Sequence, residues 1–201
     1  MSALPRRACG DCTVCCVELK IDTPELKKKP EVACRHLTAK GCGIYDSRFP
    51  ICHQFLCGWR LFGELNDQWR PDRSGVLVMR KAPGEIPPAY HGPGYGVELA
   101  VFGGEEAVTR PGFAEYVAGL LAGGVAVQLS ARSPSTIVNE HLDAANARRD
   151  LPGLRARLVA LYRLLHAARW SRGKLGQVIP LYKLQLDRQT FLAHKKLRES
   201  R

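Results

Sequence analysis

Cys9, Cys12, Cys15, Cys16, Cys34, Cys42, Cys52 and Cys57 are all the cysteines of this 201-residue chain, and they fall in its first third. A Cys-x2-Cys step lets one short loop present two thiolates to the same ion. Cys9, Cys12 and Cys15 repeat that step without a break, and Cys16 is directly adjacent. A mononuclear structural zinc takes one such pair from each of two loops, so this single loop offers a surplus. Two arrangements use it. In one, Cys9, Cys12 and Cys15 wrap a corner of a [4Fe-4S] cluster and a fourth thiolate comes from Cys34, Cys42 or Cys52. In the other, the eight cysteines form two four-thiolate Zn2+ sites that share the N-terminal loop. Sulfur softness suits both, and the overlapping triplet tips the balance toward iron–sulfur. Cys57 reads equally as a ligand and as a small hydrophobe on a helix. His36 and His53 adjoin proposed ligands and could stand in as nitrogen donors, though a solvent-facing or supporting role is the first expectation for each.

The elements that must position these thiols are short. Val17 to Ile21 alternates apolar and polar residues and reads as extended, and Asp22-Thr23-Pro24-Glu25 reads as a helix start. Gly41 and Gly43 flank Cys42, which lets the backbone wrap closely around a metal. Asp46 or Ser47 caps a helix expected to run past Pro50 toward Leu65. On one continuous helix Cys52 and Cys57, five apart, do not share a face, so one of the two is the better ligand.

Beyond Gly75 the texture changes. Val76–Met79, Gly96–Phe102 and Val125–Leu129 read as strands, with a helix from about Pro111 to Leu121 before the third. Two further helices are expected, one opened by Ser133-Pro134 and running to about Arg149, the other opened by Asp150 and Pro152 and running to about Arg172. The fold class is therefore α+β: a cysteine-rich metal-binding lobe over residues 1–70, packed on a small sheet with flanking C-terminal helices over 71–201, in one body.

Net charge is +11, and it is lopsided: residues 141–201 hold 14 Lys and Arg against 4 Asp and Glu. Such a segment points to an acidic partner, a protein or nucleic acid, or to a solvated helical surface. From Leu154 to Trp170 an apolar stripe of Leu154, Leu158, Leu161, Leu165 and Ala168 runs beside Arg155, Arg163 and Arg169. Core packing of the stripe is the first expectation, and a membrane or nucleic-acid surface the second. No run of apolar residues spans a bilayer and the first residues lack a signal pattern, so a cytoplasmic setting is expected. In a reducing compartment clustered cysteines mean metal ligation more often than disulfides.

Two other places carry chemistry-bearing residues. Arg70 and Arg73, in Trp69-Arg-Pro-Asp-Arg73, are candidates for gripping the carboxylate or phosphate of a cofactor, with a salt-bridged turn the first expectation. The glycine-rich loop His91 to Gly96 offers backbone amides for a small molecule, or is simply a hairpin loop.

The order Cys-x2-Cys-x2-Cys-Cys, then Cys34-Arg-His-Leu, then Gly41-Cys-Gly-Ile-Tyr45-Asp-Ser-Arg48-Phe-Pro50-x-Cys52, resembles the cysteine-cluster family of zinc- or iron-chelating domains called YkgJ-like. The resemblance covers Cys9 to about Trp59. It implies that Cys9, Cys12, Cys15, Cys16, Cys34, Cys42 and Cys52 are metal ligands, and that the protein is a small bacterial one. The chain departs in placing Phe49 between Arg48 and Pro50 and in carrying Cys57. A similar cysteine domain in flagellin lysine methylases implies an enzyme alternative, methyl transfer assisted by an iron–sulfur cluster. A further alternative is a zinc-stabilised module whose basic face binds a polyanion.

Overall fold

The computed structural model describes residues 7–132, 134–142 and 146–174, with side chains as far as Arg169. Residues 7–57 fold as short pieces joined by turns. Helix α1 (Val14–Glu18) carries Cys15 and Cys16. Strands β1 (Ile21–Asp22) and β2 (Lys27–Lys28) form one small hairpin, and β3 (Leu37–Thr38) with β4 (Gly41–Cys42) another. Helix α2 (Pro50–Gln54) carries Cys52, and α3 (Gly58–Leu61) begins directly after Cys57.

Three local expectations are corrected here. The alternation from Val17 to Ile21 spans the end of α1 and the start of β1, so its first half is helical. Asp22 to Glu25 is a hairpin turn: the Thr23 hydroxyl accepts from the Leu26 amide at 3.1 Å, a side-chain bond that competes with helix initiation. The single helix expected from Asp46 or Ser47 to Leu65 is two helices. Phe49, preceding a proline, is extended with ψ 151, which starts α2 at Pro50, and Cys57 is extended again with ψ 160.

The remainder is a four-stranded sheet with helices. Helix α4 (Pro71–Ser74) ends at Gly75, whose φ of 68 favours glycine, and leads into β5 (Val76–Lys81). β5 pairs antiparallel with β6 (Gly96–Val101), and β6 pairs parallel with β7 (Ala126–Ser130) across a connection made by α5 (Glu105–Thr109) and α6 (Phe113–Ala122). The edge strand β8 (Ser135–Ile137) pairs antiparallel with β7. Here the helix expected from Ser133 to Arg149 gives way to a strand. Thr136, Ile137 and Val138 are β-branched, and β7 offers a free edge to pair with. The last helix, α7 (Leu151–Lys174), packs on α5 and α6, and its Leu154, Leu158, Leu165 and Ala168 are buried as the stripe requires. The architecture is α+β.

β5 joins the two regions through its alternation. Val76 and Val78 belong to the core with Leu99, Phe113 and Leu158, whereas Leu77 lies in the floor of the cysteine cavity described below. Trp59, Leu65 and Trp69 carry the core back toward the cysteines, with Trp69 stacked on Phe113 at 6.2 Å. Helix α3 lies against β5 at Gly58, where an added Cβ would stand 2.7 Å from the Val78 Cβ. Gly58→Ala is therefore expected to destabilise the protein by about 1–3 kcal/mol through overpacking. Gly84→Ala, into open space, should stay within about 0.5 kcal/mol. Denaturant midpoints of the two variants check this, and equal midpoints would contradict the close approach.

Candidate metal centre

All eight cysteines line one cavity of about 190 Å³. Each is a free thiol and each is partly buried. The wall between them is apolar, with Leu26, Phe49, Phe55 and Leu77 among its residues. Cys57 thus sits with the other seven. The break between α2 and α3 removes the face-sharing objection to using it together with Cys52.

Hydrogen bonds set the thiols in two neighbourhoods. Before Cys9, the Arg7 guanidinium donates to the Trp59 carbonyl at 2.5 Å. In return, Arg60 donates to the Arg7 carbonyl at 2.7 Å and reaches the Cys9 Sγ at 3.8 Å. This exchange brings the start of α3 against Arg7, and Cys57, one residue before α3, comes within electrostatic reach of Cys9. A turn closed by Cys12 N–H to the Cys9 carbonyl at 3.1 Å curls the first Cys-x2-Cys step, and Cys15 lies near Cys9 and Cys12. Elsewhere the Cys34 amide donates to the Cys16 carbonyl at 2.9 Å, and the β3–β4 pairing sets Cys42 opposite Leu37. Cys52 lies near Cys16, Cys34 and Cys42.

Cations are built in around the second group. Lys28 is buried, and its Nζ donates to the carbonyls of Val17 at 2.7 Å, Leu19 at 2.6 Å and Lys29 at 3.0 Å. These bonds fasten the end of α1 to β2. Burial lowers the Lys28 pKa, and the thiols of Cys34 and Cys16 oppose that shift. Arg48 lies over the Tyr45 ring at 3.8 Å, donates to the Tyr45 carbonyl and acts electrostatically on Cys16 and Cys52.

Arg70 lies in a salt-bridged turn, its guanidinium engaged within the chain. Its guanidinium bonds Asp72 at 2.5 and 2.7 Å and Asp11 at 2.7 Å, which ties the Cys9–Cys12 loop to α4. Arg70 holds the Asp72 carboxyl below the usual carboxylate range. Arg73 is exposed and outside the cavity wall. The His36 Nε2 receives the Arg35 Nε at 3.1 Å, and its ring packs on Phe49; His53 is exposed. Asp72, two residues on, is the local signal for this turn, whereas Asp11 inside the Cys-x2-Cys loop is remote in the chain and carries no such signal.

Among the described residues, no group of three or more His, Cys, Asp or Glu side chains is arranged so that it could hold a metal ion as it stands. The thiols ring the cavity without closing on one point. The donor set, eight thiols in an apolar cavity with fixed cations beside it, fits zinc or iron–sulfur chemistry. No family model, curated protein or solved structure matches this chain.

Without metal, the neighbouring Cys15 and Cys16 thiols interact. That interaction, with Lys28 and Arg48 nearby, brings the Cys16 thiol down to about 6, while the same interaction and burial push Cys15 up. At pH 7 the metal-free protein is expected to alkylate at Cys16 well before Cys15. Peptide mapping after brief iodoacetamide exposure reads this, and faster labelling of Cys15 would contradict the pairing.

Proposed function

We propose that this chain is a metal-binding protein whose cysteine thiolates hold zinc or an iron–sulfur cluster at the cavity that Leu77 of β5 helps to line. The observation that carries the reading is an imbalance. Residues 7–57 bury only Val14 and Leu26 as apolar core, yet they bring eight thiols to one cavity. Burying one such side chain contributes roughly 1.5–3 kcal/mol, while ordering each residue costs about 1–2 kcal/mol of backbone entropy. A segment so poor in core holds its shape through crosslinks, and reduced thiols at knuckle spacing supply them through metal. When bound, the group provides those crosslinks and, if it is iron–sulfur, a one-electron redox centre.

The chain's own residues do the rest. Lys28, Arg48 and Arg60 offset thiolate charge, the Arg70 bridge to Asp11 and Asp72 fixes the first loop, and the apolar wall limits access of water. The polyanion-module reading finds less support, because Arg155, Arg163 and Arg169 pair with Glu115, Glu105 and Glu31. Residues 175–201, the rest of the basic segment, lie outside the described residues. No helix among the described residues is long and apolar enough to cross a membrane.

Protein purified without oxygen is expected to carry zinc, or iron with matching acid-labile sulfide, in stoichiometric amount. Removing the metal should open residues 7–57 to proteolysis while fragments beginning near β5 persist. A chain that takes up neither metal, or whose protease pattern ignores metal removal, contradicts the reading.

A further inference from the structure

Resting on that reading, we propose that the centre is binuclear, with Cys9, Cys12, Cys15 and Cys57 as one four-thiolate site and Cys16, Cys34, Cys42 and Cys52 as its neighbour. Cys57, the cysteine outside the seven that the sequence pattern points to, is on this account a ligand.

Separate hydrogen-bond devices build each quartet. The exchange between Arg7 and the start of α3 brings Cys57 within electrostatic reach of Cys9, far from it in sequence. The bond from the Cys34 amide to the Cys16 carbonyl holds Cys34 beside Cys16, and the β3–β4 hairpin that follows sets Cys42 opposite Leu37, with Cys16, Cys34 and Cys42 all within electrostatic reach of Cys52. Cys15 and Cys16 lie next to one another on α1, where successive side chains diverge by about 100° around the axis. Their sulfurs nonetheless interact, so the two quartets adjoin at this pair, with one residue of it serving each.

Charge is apportioned in the same way. Four thiolates around one zinc ion leave a dianion, as they do around one oxidised [4Fe-4S] cluster. In an apolar cavity each dianion needs its own cations. Arg60 stands against Cys9, Arg48 acts on Cys16 and Cys52, and Lys28 acts on Cys34 and Cys16 ahead of Cys15. A single site using the N-terminal triplet and one remote thiol would leave four partly buried thiols without an ion to serve.

The test uses the full chain, purified anaerobically, its metal content analysed and its zinc-loaded form weighed by native mass spectrometry. Wild type is expected to hold two zinc ions, or two clusters' worth of iron and sulfide. Cys57→Ser and Cys34→Ser should each lose one of the two, and the double variant both. Should Cys57→Ser fold poorly, stepwise Co2+ addition to metal-free wild type still decides, because two sites give thiolate-to-metal absorption that rises to two equivalents. One metal or cluster per wild-type chain overturns the binuclear arrangement and leaves the metal-binding reading standing. Full metal content in Cys57→Ser overturns the assignment of that residue. No metal in wild type overturns both.

Discussion

Residues 7–57 contain no helix longer than five residues and no strand longer than two, and they bury only two apolar side chains. Hydrophobic burial cannot hold such a segment in one arrangement, so its order must come from polar bonds, from the sheet beneath it and from its thiols. Much of the remaining structure follows from that constraint. β5 turns Leu77 toward the cysteines and Val76 and Val78 toward the core, so one strand supplies both the floor of the cavity and the centre of the sheet. Gly58 allows α3 to approach β5 closely, which is what sets the position of Cys57.

Charge does the rest of the fastening. Arg132, after β7, bonds Glu18 at 2.8 Å on α1 and Glu31 at 3.2 Å, and Arg169 of α7 also bonds Glu31. Glu31 and Arg132 have positive φ, 62 and 65, an arrangement non-glycine residues seldom adopt and that their mutual ion pair helps maintain. Through this network the cysteine-bearing stretch, the sheet and the last helix are linked by side chains distant in sequence. It also accounts for part of the basic excess of the C-terminal segment, which meets acidic residues of the same chain. Exposed members of the network contribute little singly, and the partly buried Glu18 contributes more.

The thiol pattern was legible in the sequence because ligand spacing is a local property: Cys9, Cys12, Cys15 and Cys16 declare themselves within eight residues. The strands β5, β6 and β7 and the helices α6 and α7 were legible for the same reason, each being long enough to show its period. What could not be read was decided at a distance. Ser135–Ile137 is a strand because β7 has an edge to share, and Arg70 is a strut because Asp11 lies fifty-nine residues away in the chain and next to it in space. The place of Cys57 depends on Arg7 meeting α3, and a linear reading has no access to that contact. Thr23 misled because one side chain can start a helix or close a hairpin, and the choice lies with the β1–β2 pairing.

X-ray absorption at the zinc or iron edge of the anaerobically purified protein tests the central claim most directly, since it reports which atoms touch the metal. The account predicts a first shell made only of sulfur, with zinc–sulfur distances near about 2.3 Å if the metal is zinc. A shell containing nitrogen or oxygen in place of sulfur would contradict it, because the cysteine thiols would then not be the groups that hold the metal.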